Sequence, residues 1–270
     1  MGLLFYMRKI SVGLTGNTLK IIAALCMLID HIGAGIIFRL INDNRFGDGA
    51  FGMSAIYSVC RAIGRVAFPI YIFLVIEGFN HTRSKWRYLG RMVLLSIVSE
   101  IPYDIALKLD SEQIKRGVFI EFGRQNVYFT LALGLLTVII VDFFREKDFK
   151  KFNTAIKVAI STIVVACSMY IAVLIHASYL YIGVFAIVVA YFFSETKLWA
   201  ERRLLRNIVV MLSICIVLCF YDASEVYSLA AILPACLYNG ERGIKAKWGF
   251  YWFYPIHLSI IGLICLGYGV

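Results

Sequence analysis

Apolar residues along this chain do not alternate, and they do not keep to one helical stripe. They continue for 13 to 24 residues at a time and are broken only by short polar turns. A run of about 20 apolar residues spans the ~30 Å hydrocarbon core of a bilayer as a helix. Nine such runs are predicted: 18–41, 57–80, 87–106, 127–144, 156–175, 179–194, 208–221, 226–238 and 250–268. The expected fold is therefore all-α, a polytopic transmembrane helical bundle forming a single domain over residues 1–270. The sixth, seventh and eighth runs are short, so eight to ten spans satisfy the pattern.

Composition strengthens this picture. The chain is 61% hydrophobic and 16% charged, with a mean hydropathy of +0.80, whereas a soluble domain carries about 25% charged residues. The net charge of +10 is not read as a nucleic-acid signal, because the basic residues fall in short turns between spans. With the N-terminus cytoplasmic, inner turns and helix ends hold 19 of the 27 Lys and Arg residues, and the HASY (176–179) and DASE (222–225) turns hold none. That is positive-inside topology. The loop at 107–126 is a partial exception, offsetting its basic residues with Asp110, Glu112 and Glu121. A multi-pass protein of a bacterial inner membrane is expected. The start, MGLLFYMRKISVG, lacks a long apolar region with a small-residue cleavage site, so the first span is expected to be a retained anchor. The seven cysteines form no CxxC or metal-ligand spacing and read as small buried hydrophobes.

Ionisable residues inside such spans are costly unless paired or hydrated, so they mark candidate sites. Span 1 carries Asp30 and His31. Span 2 carries Arg61, Arg65 and Glu77, span 3 carries Glu100 and Asp104, and span 9 carries His257. His31 lies eleven residues beyond Lys20, about 16 Å deeper at 1.5 Å per residue. It is thus expected near the midplane, in a cluster with Glu100, Asp104, Arg61 and Arg65, while His257 approaches from the inner side. Histidine is the side chain best poised to exchange a proton near pH 7, and a carboxylate on its second nitrogen would fix its tautomer. Adjacent helix residues point about 100° apart. The partner of His31 is therefore expected to be Glu100 or Asp104, with Asp30 facing Arg65. A purely structural ion pair of Arg65 with Glu100 or Asp30 is the competing reading. Glu77, near His81, is expected at the interface, as is His176. No HExxH, GxSxG elbow, P-loop or GxGxxG is present, and no metal site is expected.

Four stretches together, LKIIAALCMLIDHIG (19–33), the run 61–106 containing GRVAFP, EGFNHT and SEIPYD, QNVYFTLALGLL (125–136) and FYWFYPIHL (250–258), resemble the TraX family, named for the pilin N-acetylase of conjugation systems. The resemblance covers nearly the whole chain in order. It implies a membrane acetyltransferase that draws on acetyl-CoA. It carries over Asp30, His31, Arg65, Glu77, His81, Glu100, Asp104, Gln125, Asn126 and His257 as motif positions. Where an acidic turn is expected before span 6, this chain reads ASYLYIG (177–183), which puts a pilin acceptor in question.

The expected chemistry is acetyl transfer to an amine or hydroxyl of a peptide or glycan presented at the membrane. His31 is the general base, oriented by Asp30, Glu100 or Asp104. Arg65, Gln125 and Asn126 are the candidate donors to the reacting carbonyl. Arg83, Lys85, Arg87 and Arg91 are the candidate site for the CoA phosphates. His257 lies beside the pantetheine arm or carries the acetyl group. A proton-coupled transporter built on the same buried cluster is the alternative, as is a non-enzymatic assembly factor.

Overall fold

The structure is a computed structural model, and it describes residues 13–145, 153–195, 199, 202–244 and 247–269. It is 80% helical. Among the described residues there is no strand, only an isolated bridge between Leu14 and Tyr238.

Helix α1 (Gly16–His31) is capped by Thr15, whose hydroxyl accepts from the Thr18 amide. It runs through a π-helical turn (Ile32–Ile37) into α2 (Phe38–Asn42). Next come α3 (Ala50–Gly64) and α4 (Ala67–His81), separated by Arg65 and Val66. Pro69 falls in the first turn of α4, where a missing N–H costs no helical bond. The Ser84 hydroxyl caps α5 (Lys85–Leu107). A capping box opens the short α6 (Ser111–Lys115). Then follow α7 (Val127–Arg145), α8 (Thr154–Leu174), α9 (Leu180–Phe193) and α10 (Arg203–Cys219). A 3-10 segment (Ala223–Ala231) leads into α11 (Ile232–Cys236), and α12 (Lys247–Tyr268) ends the bundle.

Each expected span coincides with a helix or a helical pair. The second is longer than expected, because α3 and α4 continue one another over Ala50–His81. Five segments are long and apolar enough to cross a bilayer: Gly16–Asn42, Ala50–His81, Val127–Arg145, Thr154–Leu174 and Gly249–Tyr268. Leu180–Phe193 and Ala223–Cys236 are apolar but shorter. Large apolar side chains such as Leu25, Leu94, Ile97, Ile163 and Leu263 are exposed on the outside of the bundle. Such contiguous apolar surface suits a hydrocarbon solvent.

The interior has two parts. The larger core is built mainly by α4, α7, α9 and α10, with Phe73, Ile76, Leu135, Ile187, Met211 and Leu218 at its centre. A smaller core joins α1, α5 and α12 through Met27, Tyr103, Tyr254, Leu258 and Ile261. Tyr71, Val127 and Tyr128 touch both. The cavity described next lies along that seam.

Candidate functional site

His31 is the last residue of α1, and the π turn begins at the next residue. A π turn inserts a residue and re-aims the side chains around it, and such turns concentrate at functional sites. Here the turn contains Gly35. A Cβ at that position would lie 2.8 Å from the Ile261 side chain and 2.9 Å from the Ala106 carbonyl. Glycine thus lets α1 approach α12 and α5 closely enough for His31 to reach His257.

His31 Nδ1 lies 2.7 Å from His257 Nε2, and His257 Nδ1 lies 2.7 Å from the Phe253 carbonyl. The chain of contacts assigns the hydrogens. A carbonyl only accepts, so His257 carries its hydrogen on Nδ1, and the neutral ring offers a lone pair at Nε2. His31 must then donate from Nδ1, which leaves its own lone pair on Nε2. That atom has no protein partner among the described residues, and His31 lines a cavity of about 180 Å³. The rings are parallel within 4° with centroids 5.0 Å apart. With the nitrogens at 2.7 Å, this places them edge to edge in nearly one plane, the orientation a lone pair requires. Tyr254 closes one side, its ring edge-on to His31 at 5.9 Å.

Asp30 lines the same cavity and accepts from Arg61 Nη1 at 2.6 Å. Gly64 makes room for it, since a Cβ there would lie 2.2 Å from Asp30 Oδ1. Met27, Asp30, His31, Arg61, Arg65, Tyr71, Tyr103, Lys108, Arg124, Val127, Ser178, Tyr179 and Tyr254 all contribute to the wall. Six helices and the turn before α9 thus converge on one small polar chamber in an apolar bundle.

The profile of the family described as "TraX protein" matches residues 15–265. The chain belongs to that family. It is 26% identical over 252 residues to "Probable fimbrial assembly protein FimC, serogroup H1" of Dichelobacter nodosus, covering 90% of this chain and 92% of that protein. No solved structure matches it.

Other pairings in this TraX-family chain differ from those expected of the sequence. The partner of His31 is His257, not a carboxylate. Glu100 Oε2 accepts from the Asn126 amide at 3.2 Å and from the Asn126 side chain, whose amide also donates to the Ser96 carbonyl at 2.8 Å. Asp104 Oδ2 accepts from the Glu121 amide at 2.9 Å. These two acids therefore hold the loop leading into α7, and neither lines the cavity. Arg65 does line it, but its ion partner is Glu225, at 3.0 Å, rather than Asp30 or Glu100. Glu225 is fully buried in the 3-10 segment, a position the charge pattern of a polar DASE turn does not reveal.

Asn126 has its side chain committed, and Gln125 engages the HASY turn through its backbone: its amide donates to the His176 carbonyl, and its carbonyl accepts from Ser178 Oγ. Neither borders the cavity, unlike Arg65. Of the basic turn, Lys85 is paired with Asp142 and Arg91 Nε lies 3.3 Å from Tyr251 Oη, whereas Arg83 and Arg87 are exposed. Glu77 is buried within the bundle and paired with Arg206. His176 is exposed, as expected of an outer turn.

Tyr103, Lys108, Arg124, Ser178 and Tyr179 also line the cavity, although the sequence pattern does not single them out as site residues. A signal existed for two of them: Lys108 and Arg124 belong to the 107–126 loop that strains the positive-inside alternation. Tyr179, with a left-handed backbone (φ 61°), is flanked by His176 (φ 53°) and Leu180 (φ 46°). Three such non-glycine residues in five positions mark a turn held under strain beside the cavity.

Proposed function

We propose that this protein is a membrane-embedded acetyltransferase of pilus or fimbrial assembly, moving an acetyl group from acetyl-CoA to an amine or hydroxyl of a membrane-presented acceptor. The observation that supports it most is the relay from the Phe253 carbonyl through His257 to His31, which leaves an unpartnered basic nitrogen at a cavity wall. Membership of the TraX family and likeness to a protein named for fimbrial assembly supply the setting.

In this reading His31 Nε2 removes the proton of the acceptor as its nitrogen or oxygen bonds to the acetyl carbonyl carbon. The carbon–sulfur bond breaks, and the thiolate leaves with the proton. As His31 becomes cationic, its Nδ1 hydrogen strengthens the bond to His257, which the Phe253 carbonyl keeps in the accepting tautomer. Arg65, Tyr103 and Tyr179 line the same chamber and are the candidate donors for the developing oxyanion. A cavity of about 180 Å³ is smaller than the ~300–1,000 Å³ of pockets for drug-sized ligands. It suits the reacting ends of donor and acceptor rather than a whole nucleotide. The exposed Arg83 and Arg87 are the candidates for the CoA phosphates.

The test is free-thiol release from acetyl-CoA by detergent-purified protein, wild type against His31→Ala at matched folded yield, with acetyl-CoA binding measured alongside. Binding with release that the substitution abolishes supports acetyl transfer. Neither binding nor release overturns it in favour of a proton-coupled transporter.

A further inference from the structure

The charge lining the cavity is one-sided. Arg61, Arg65, Lys108 and Arg124 contribute four cations, and Asp30 is the one carboxylate among the lining residues. Asp30 pairs with Arg61, and Glu225 satisfies Arg65 from behind. Lys108 and Arg124 are left without an ion pair among the described residues. Asp104 and Glu121 act on Lys108 only through space, from outside the cavity lining; one oxygen of each accepts a backbone amide, Glu121 N–H to Asp104 Oδ2 and Gly123 N–H to Glu121 Oε1. Arg124 donates from Nη2 to Tyr221 Oη at 3.3 Å. Lys108 follows the last turn of α5 and Arg124 precedes α7, and both line the same small chamber as His31.

Two half-buried cations that share a small chamber repel each other. Burial and the Arg124 charge lower the pKa of the Lys108 ammonium, and the Glu121 and Asp104 carboxylates offset this only in part. An anion between them would remove that repulsion, and a guanidinium beside an ammonium is a natural receptor for an oxyanion. The placement also accounts for two of the four basic residues, Lys108 and Arg124, that depart from the positive-inside pattern at 107–126.

We infer that Lys108 and Arg124 form an oxyanion-binding subsite, and that the acceptor acetylated at His31 carries a carboxylate or phosphate group close to its nucleophilic amine or hydroxyl. The acceptor half of this inference rests on the acetyltransferase reading; the oxyanion site itself does not.

Two measurements on the full-length protein in detergent separate them. The first is thermal unfolding in inorganic phosphate or acetate against chloride at matched ionic strength, for wild type and for Lys108→Gln, Arg124→Gln and the double variant. The expected result is a rise in Tm of a few degrees, as ligand linkage gives at concentrations well above Kd, reduced in either single variant and lost in the double. Either single variant decides the matter should the double not fold. A larger rise with phosphate assigns a phosphorylated acceptor, and a larger rise with acetate a carboxylated one. No rise in wild type, or the same rise in all variants, overturns the subsite. The second is thiol release with paired acceptors, glycine against glycinamide and O-phosphoethanolamine against ethanolamine. The anionic member of a pair should be preferred, with KM raised about tenfold in Lys108→Gln and kcat largely kept, as loss of one charge-assisted contact requires. Preference for the neutral members overturns the acceptor assignment. Absence of thiol release from every pair together with absence of acetyl-CoA binding overturns acetyl transfer, and the unfolding measurement then decides the oxyanion site by itself.

Discussion

His257 presents its Nε2 lone pair to His31 Nδ1 at 2.7 Å while its own Nδ1 is held by the Phe253 carbonyl at 2.7 Å. One backbone carbonyl thereby fixes the tautomers of two buried rings and aims the basic nitrogen of the first at the cavity.

That arrangement makes His257 a positioning residue. His257→Ala should lower kcat by roughly 10²-fold or more, within the range for disrupted acid–base catalysis, with KM for acetyl-CoA little changed. His257→Gln or His257→Asn should recover part of the loss if the amide oxygen accepts from His31 Nδ1. Steady-state thiol release at matched folded yield reads this, and a His257→Ala enzyme with wild-type kcat would show that the pair is only packing.

Glycine positions in α3 separate close approach from open space. At Gly64 a Cβ would overlap the Asp30 carboxylate, whereas at Gly52 nothing lies within 4 Å. Gly64→Ala should therefore destabilise the protein and disturb the Asp30–Arg61 pair. Gly52→Ala should stabilise it by about 0.5–1 kcal/mol through helix propensity. Thermal unfolding of the two variants in the same detergent checks the opposite signs.

The Arg65–Glu225 pair is buried, with side-chain exposures of 17% and 0%. Replacing Glu225 by Gln leaves Arg65 without its counter-charge, a change that costs about 3–5 kcal/mol at buried pairs. Glu112, whose pair with Lys115 is exposed, should tolerate Glu112→Ala within about 0.5 kcal/mol. Folded yield by size-exclusion chromatography and Tm distinguish the two.

Glu100 and Asn126 predict a different signature from His31. Their contacts anchor the start of α7, so Glu100→Ala and Asn126→Ala should reduce folded yield. Activity per folded molecule should stay within a few-fold of wild type, as for other losses of structural hydrogen bonds outside the reacting shell. A loss of 10²-fold or more in folded protein would instead move Glu100 into the chemistry.

Much was legible in the sequence for a plain reason. Hydrocarbon admits only segments that satisfy their own backbone, so long apolar runs report helices directly. Each run coincides with a helix or helical pair for that reason, although five segments are long and apolar enough to cross a bilayer, and Asp30, His31, Arg65 and His257 stood out because a charge in such a run is expensive. Partners were not legible. Asp30 and His31 are adjacent in sequence yet serve different neighbours, Arg61 and His257, because about 100° of helix rotation separates them. Which helix each one meets depends on inter-helix packing that no local pattern encodes, including the close approach at Gly35 and Gly64.

The sequence by itself determined a helical membrane protein, its approximate helix boundaries and the short set of ionisable residues inside it, since each follows from the cost of polar groups in an apolar solvent. Only the tertiary structure decided that Glu100 and Asp104 brace a loop, that Glu225 answers Arg65, and that two histidines 226 positions apart share one hydrogen bond. Those facts depend on distance and direction between helices, which are set when the bundle closes and not before.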